Sequence, residues 1–254
     1  MKTILAITRK ELEQYFASPI AYIVVALLMI ILGIFFYIYL TLYMQQVAQS
    51  AQYGGEGVDL SQNIMRPFFA NAAFFFLIIF PMLTMKLFAE EKKMGTYELL
   101  MTSPISITQL VVGKYFGVLT LMLAIIILLL IYPATLFVFG GHPDMGPILT
   151  GFLGLFLIGA AFVAIGLFTS SVTDSQIVAA VLCFVFLILF WIINWVSRSE
   201  AWYGKALQYI SIYQRFDDFT KGILNLNDVF YYVSFAFVGL FITGIVLQSQ
   251  RWKS

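Results

Sequence analysis

The sequence of 254 residues is poor in the side chains that build chemical sites in soluble proteins. Its one cysteine, Cys183, cannot form a disulfide within the chain, and a cysteine-based metal cluster is excluded. Its one histidine, His142, excludes a site made of several histidines from one chain. Charged residues make up 11% of the chain and hydrophobic residues 61%, whereas an average soluble domain is about a quarter charged. This composition excludes a disordered chain, a disulfide-rich secreted scaffold and an ordinary water-soluble enzyme.

Signals for nucleic-acid binding and for enzyme chemistry are also missing from the sequence. The 14 basic and 13 acidic residues give a net charge of +1, so no basic excess points to nucleic acid. The sequence contains no phosphate-binding G-x-x-x-x-G-K-[ST], no G-x-S-x-G and no H-E-x-x-H motif. We therefore expect no catalytic, metal-binding or cofactor-binding residue in this chain.

What the sequence has instead is a series of long apolar stretches without an ionisable residue. Each can supply the roughly 20 apolar residues that cross a hydrocarbon core about 30 Å thick, and none shows the alternating polarity of a transmembrane β-strand. The sequence predicts an all-α integral membrane protein with one domain, 1–254. Its six predicted spans are 19–44, 67–85, 115–139, 147–170, 176–197 and 229–248.

The distribution of Lys and Arg predicts the orientation of these spans. Six crossings place both termini on one side, and that side would carry nine of the 14 basic residues, against five on the other. Because basic residues in short loops favour the cytoplasmic side, we expect the N- and C-termini in the cytoplasm. The expected location is a bacterial cytoplasmic (inner) membrane.

The first 18 residues have the pattern of an amphipathic helix. Apolar residues recur at spacings of three and four, and Arg9 and Lys10 lie on the other side. Such a helix rests in the membrane interface until Ser18-Pro19 turns the chain into the first span.

The predicted cytoplasmic segment 86–114 carries the clearest local signals. Gly95 suits the left-handed residue that closes a helix, and Thr96 is expected to cap a short new helix with Glu98 in its first turn. Pro104 stops that helix, and the capping box Ser106-Ile107-Thr108-Gln109 starts the next one. The prediction is a helix, a sharp turn, a short helix and a further helix that enters the third span.

The predicted outer segment 198–228 mixes aromatic, aliphatic and charged residues. This mixture is too apolar for a solvated loop, so we expect short helices that dip into the outer membrane interface.

Several of these segments resemble the permease subunits of type-2 ABC transporters. The strongest resemblance lies in Ala89-Glu90-Glu91-Lys92-Lys93-Met94-Gly95-Thr96-Tyr97-Glu98-Leu99-Leu100-Met101-Thr102-Ser103-Pro104, which is similar to the family's coupling helix. Arg9-Lys10-Glu11-Leu12 with Tyr15-Phe16 resembles the family's connecting helix. Thr173-Asp174 with Gln176 resembles its second inner loop. Arg215-Phe216-Asp217-Asp218-Phe219 with Asp228-Val229 resembles its outer re-entrant helices. The gliding-motility-type permeases are the most similar branch in appearance.

The resemblance implies a function and a set of site residues. It implies export driven by a separate ABC ATPase, which binds ATP and Mg and is present in two copies per transporter. It also implies a second permease chain, in a homodimer or a heterodimer. Membrane lipid is a further expected partner, and an apolar path favours an amphiphilic or lipid-linked substrate. The implied ATPase-coupling residues are Glu90, Glu91, Gly95, Thr96, Glu98 and Leu99. The implied residues of the interfacial helix are Arg9, Lys10, Glu11 and Tyr15. The implied residues of the outer re-entrant region are Phe216, Asp217 and Asp218.

Two other classes of function stay open at this point. The chain could be a membrane anchor or force-transmitting subunit that uses the same ATPase contact and moves no solute. An intramembrane enzyme is disfavoured, because the residues that it would need are missing.

Overall fold

The computed structural model describes residues 2–53, 59–196 and 211–251, and all regular secondary structure in these ranges is helical. A π-helical turn, Ser61–Met65, precedes α3. The α-helices are α1 (Lys2–Ala17), α2 (Pro19–Tyr53), α3 (Arg66–Thr84), α4 (Lys86–Lys93), α5 (Thr96–Thr102), α6 (Ile107–Leu129), α7 (Ile131–Val138), α8 (Met145–Val172), α9 (Gln176–Val196), α10 (Ile212–Thr220) and α11 (Leu226–Arg251).

Six helical stretches are long and apolar enough to cross a membrane. They are Pro19–Gln52, Ser61–Lys93, Ile107–Val138, Met145–Val172, Gln176–Ile193 and Leu226–Arg251. The prediction of an all-α integral membrane protein is thereby confirmed. The orientation of the termini and the placement of α1 in the membrane interface stay predictions.

The helices differ in detail from the predicted spans. The first apolar helix continues past residue 44 to Tyr53. The third predicted span, 115–139, belongs to a longer stretch that starts at Ile107 and divides at Leu130, with Pro133 in the first turn of α7. Gly54, Gly55 and Gly57, which follow the first helix, lie outside the described residues. So do the predicted span end at 197 and the first part of the outer segment, 198–210.

Helix α8 forms the centre of the bundle. It packs against α3, α6, α9, α10 and α11, and most of its residues between Ile148 and Ser171 are buried. Close approach requires glycine at Gly151 and Gly166, where an added Cβ would overlap the Phe69 ring and the Thr84 side chain. Small residues allow the same close contact between helices in membranes generally.

The second apolar stretch is divided between α3 and α4 at Met85, four residues after Pro81. The side chain of Ser170 from α8 binds the backbone at this division. Its Oγ accepts hydrogen bonds from the backbone N–H groups of Phe88 and Ala89 at 3.0 and 3.1 Å and donates to the carbonyl of Met85 at 3.0 Å. The start of α4 is therefore bound directly to α8.

Candidate functional site

The bundle has two ends that differ in their polar side chains. The end that carries α1, α4, α5 and the α8–α9 link 173–175 is called here the basal end. The opposite end carries the turn between α7 and α8 and the helix α10, and is called the distal end. All predicted coupling residues lie at the basal end.

The helix α5 is held between two defined chain reversals. Gly95 precedes it with a φ of +70°, a left-handed conformation that glycine adopts without strain. After α5 the chain becomes extended at Ser103, and Ser106 caps α6. The predicted capping box is confirmed: Ser106 Oγ accepts from the backbone N–H of Gln109 at 3.2 Å, and Gln109 Oε1 accepts from that of Ser106 at 3.4 Å.

The predicted role of Thr96 as the N-cap is wrong. Gly95 occupies the N-cap position, and Thr96 is the first residue of α5. The Thr96 hydroxyl donates instead to the backbone carbonyl of Glu91 at 3.2 Å. The turn is thus closed by a hydrogen bond back to α4.

The outer side of α5 projects from the bundle. Glu98 lies exposed in its first turn, and Leu99 is 71% exposed. Met94, just before the turn, is 67% exposed. Exposed apolar side chains beside a carboxylate form a surface suited to a protein partner.

A buried ion cluster lies beneath α5. Lys114 of α6 is 1% exposed, and its Nζ contacts Glu11 Oε1 of α1 at 2.7 Å and Glu91 Oε1 of α4 at 2.8 Å. Lys10 approaches the same Glu91 oxygen at 3.7 Å. One lysine thus joins three helices that are separate in the sequence. This group, Lys114 with Glu11, Glu91 and Lys10, is called the basal ion cluster.

Two glycines in α6 allow this cluster to form. A Cβ at Gly113 would lie 2.8 Å from the Cβ of Ile7, and one at Gly117 would lie 2.8 Å from the Cβ of Glu11. The hydroxyl of Thr8 donates to the carbonyl of Gly113 at 3.0 Å. Because α1 lies so close to α6, Glu11 reaches Lys114 over a short distance.

The α4–α5 turn is also tied to the other side of the bundle. Lys92 Nζ donates to the carbonyl of Ser171 at 2.6 Å and lies 3.8 Å from Asp174 in the α8–α9 link. The same carbonyl accepts from Gln250 near the end of α11 at 3.2 Å, and Gln250 Oε1 accepts from the Tyr97 hydroxyl at 3.4 Å. Burial, and then the nearby Glu91 carboxylate, raises the pKa of Tyr97, so its hydroxyl stays protonated as a donor.

The distal end has its own ion pairs. Arg66 contacts Asp217 with its Nη2 at 3.0 and 3.1 Å from the two carboxylate oxygens, and Lys221 Nζ lies 2.6 Å from Asp217 Oδ2. Burial alone would raise the pKa of Asp217, but hydrogen bonds from Lys221 and Arg66 outweigh it and lower the pKa. The hydrogen bond to Asp217 raises the pKa of Lys221. We call Arg66, Asp217 and Lys221 the distal ion cluster.

The structure brings only some of the predicted residues together. Glu11, Lys10 and Glu91 meet at Lys114, and the Thr96 hydroxyl binds the Glu91 carbonyl. Glu90 lines a cavity beside this cluster. Tyr15 donates to the carbonyl of Leu83 at 2.6 Å and thus fastens α1 to α3.

The other predicted residues lie away from the basal ion cluster. Arg9 forms an exposed pair with Glu13. In the outer region, Phe216 is completely buried, and Asp217 and Asp218 face Lys221 at the distal end.

Sequence reasoning missed Lys114, Lys92 and Ser170. A signal for Lys114 was present, because Gly113-Lys114-Tyr115-Phe116-Gly117 is a G-x-x-x-G pattern of the kind that marks close helix packing in membranes. A lysine within that pattern predicts a partner on the facing helix. Ser170 had no comparable signal, since its role depends on a break in a distant helix.

Six apolar helices with a short amphipathic helix before them and a helical turn at their basal end define a membrane-embedded subunit. A family model for ABC-2 family transporter proteins matches residues 5–246 of the chain. The chain therefore belongs to the ABC-2 transporter family and is a permease subunit of an ABC transporter, associated with an ABC ATPase that carries the ATPase activity. No curated protein matches the chain closely enough to count as a relative. The match covers the family as a whole, so similarity to the gliding-motility branch stays a prediction.

Proposed function

We propose that α5 is the coupling helix, through which the ATPase subunit moves the permease. The observation that carries this proposal is the contrast between the exposed residues of α5 and the fixed α4–α5 turn. Glu98 is exposed on α5, and Leu99 is exposed as well, although it also lines a cavity together with Glu91. The turn itself is fixed to α6 and α1 through Glu91 and Lys114. It is fixed to α8 and α11 through Lys92 and Tyr97. A displacement of α5 would therefore act on α1, α6, α8 and α11.

We further propose that the transporter contains two permease chains and two ATPase subunits in a bacterial cytoplasmic membrane, with the basal end in the cytoplasm. Basic residues support this orientation, since most of those described lie at the basal end. ATP and Mg would bind on the ATPase, and this chain would hold no cofactor.

The proposed cargo is an amphiphilic or lipid-linked substrate, moved outward. Helices α3 and α9 each leave an apolar stripe exposed. The stripes consist of Phe74 and Ile78 on α3 and of Val181, Val185 and Leu189 on α9. A path along such surfaces offers no fixed charge to a bare ion, but it accommodates an apolar chain.

The coupling role is tested by charge reversal on α5. In the purified complex with the ATPase, Glu98→Arg places a like charge against the basic partner surface that we expect there, and ATPase stimulation should fall at least five-fold. Gly95→Pro should have a similar effect, because proline is locked near a φ of −65° and Gly95 needs +70°.

Asp144→Arg provides the matched control. Asp144 is also an exposed acidic residue at a helix N-terminus, but it precedes α8 at the distal end. This variant should retain ATPase stimulation. If Glu98→Arg and Gly95→Pro leave both assembly and stimulation intact, α5 is not the coupling helix. ATPase stimulation without substrate movement in vesicles would instead identify a force-transmitting or anchoring subunit.

A further inference from the structure

A second feature of the basal end is a cavity between α1, the start of α2 and the segment from α3 to α5. Its volume is about 760 Å³, within the range of roughly 300–1,000 Å³ that is usual for small-molecule sites. We call it the basal cavity. Its wall is divided into a charged part and an apolar part.

The charged part of the basal cavity is electrically balanced. It contains three lysines and three glutamates, namely Lys10, Lys86, Lys114, Glu11, Glu90 and Glu91. Because the formal charges cancel, an occupant with a large net charge of either sign gains little, whereas an occupant with one positive and one negative group can meet both.

Not all of these charges are satisfied within the chain. Lys114 pairs with Glu11 and with Glu91 at 2.7 and 2.8 Å. Among the described residues, Lys86 and Glu90 form no ion pair within 4.0 Å. Because the Glu90 carboxylate lines the cavity without a cation, the site favours a ligand that donates charge-assisted hydrogen bonds to it.

The apolar part of the cavity is lined by residues of α2 and α3. Ile20 is 56% exposed and Met82 is 44% exposed, and Val24 also belongs to the lining. These residues belong to helices that are long and apolar enough to cross a membrane, so the acyl chains of a lipid can lie against them. The occupant that fits both parts therefore has a charged head and apolar chains.

We propose that the basal cavity binds one molecule of phosphatidylethanolamine as a resident lipid. Its phosphate meets Lys86 and Lys10, and its primary ammonium donates hydrogen bonds to the Glu90 carboxylate. Its acyl chains lie along α2 and α3. A phosphatidylcholine headgroup has the same charges but no N–H to donate, and phosphatidylglycerol has no cation. This site goes beyond the proposed transport function, because it requires neither an ATPase nor movement of the lipid.

Native mass spectrometry of the delipidated full-length chain tests this site. The chain is titrated with phosphatidylethanolamine, phosphatidylcholine and phosphatidylglycerol that carry identical acyl chains. We expect one phosphatidylethanolamine to bind at least five-fold more tightly than either other lipid. Glu90→Gln and Lys86→Gln, both at half-buried positions, should each weaken that binding at least three-fold and reduce the preference over phosphatidylcholine.

Two matched substitutions outside the cavity serve as controls. Glu13→Gln and Lys93→Gln neutralise exposed residues of α1 and α4 that do not line it, and phosphatidylethanolamine binding should not change. Equal affinity for phosphatidylethanolamine and phosphatidylcholine, a preference for phosphatidylglycerol, or no retained lipid would overturn the proposal. So would unchanged binding by Glu90→Gln and Lys86→Gln. Because no ATPase is present, such a failure leaves the coupling proposal intact.

Discussion

The two ends of this permease use ion pairs in different ways. The basal ion cluster joins α1, α4 and α6 through a lysine whose side chain is 2% exposed. The distal ion cluster joins α3 to α10 through an aspartate whose side chain is 28% exposed, and its partner Arg66 is 40% exposed. Water can replace a lost partner more readily at the distal end, because the Lys114 side chain is almost completely buried. The same type of contact is therefore expected to contribute more to the stability of the fold at the basal end.

This difference fits the functions that we propose for the two ends. A surface that receives force from an ATPase must not yield locally, and buried charges fix the relative positions of α1, α4 and α6. If α1, α4 and α6 moved apart, a buried charge would lose its partner. Because an uncompensated buried charge is costly, such partly separated arrangements of the three helices are unfavourable. The distal end needs no such rigidity for coupling.

The largest expected effect follows from removal of Lys114. In Lys114→Met the carboxylates of Glu11 and Glu91 stay buried without their main cation, and breaking a buried pair costs about 3–5 kcal/mol. Chemical unfolding in detergent should show a loss of that size. The triple variant Lys114→Met, Glu11→Gln, Glu91→Gln removes the stranded charges and should recover most of it. A loss below about 1 kcal/mol in the single variant would mean that the basal ion cluster behaves like an exposed one.

A smaller effect is expected from Gly117→Ala. An alanine usually stabilises a helix by about 0.4–1 kcal/mol relative to glycine, but here its Cβ would lie 2.8 Å from the Cβ of Glu11. Overpacking of this kind costs about 1–3 kcal/mol, so the substitution should lower the free energy of unfolding instead of raising it. Proteolysis within α1 should also become faster.

Gly146→Ala is the control for this substitution. Gly146 is also helical, near the start of α8, and a Cβ there would meet nothing within 4 Å. This variant should be neutral or slightly stabilising. Equal effects of the two substitutions would show that α1 and α6 are not packed as described.

The smallest effect is expected at the distal end. Asp217→Asn removes a carboxylate that is partly open to water, and the unfolding free energy should fall by only about 1 kcal/mol. The pKa of Asp217 is lowered in the folded chain, so its contribution is fully present above the pKa of the unfolded state. It should be lost as the pH falls below about 4.

A pH series of unfolding measurements checks this prediction. The difference between the wild type and Asp217→Asn should shrink between pH 5 and pH 3. A difference that is constant over this range would show that the Asp217 charge contributes nothing to the fold.

Local signals made the helices and the α4–α5 turn predictable from the sequence. Long apolar runs indicate spans because of the membrane's thickness, and Gly95 and Ser106 act through their own backbone and immediate neighbours. The prediction for this turn was wrong in one detail, because Gly95 rather than Thr96 occupies the N-cap position of α5.

The basal ion cluster was not predictable from these signals. Its lysine is 103 residues from Glu11 and 23 from Glu91, and only the packing of α1 on α6 brings them together. The burial of the charged Glu11 in α1 was not predicted either.

The most direct test of the account is cross-linking from α5 to the ATPase. Cys183 is 1% exposed, so a cysteine introduced at Leu99, which is 71% exposed, would be the main reactive thiol in the described part of the chain. Leu226, at the distal start of α11 and 67% exposed, is the control position. A thiol-reactive photo-cross-linker should join the ATPase to Leu99→Cys and not to Leu226→Cys. Cross-linking from Leu226→Cys alone would contradict both the coupling role of α5 and the proposed orientation.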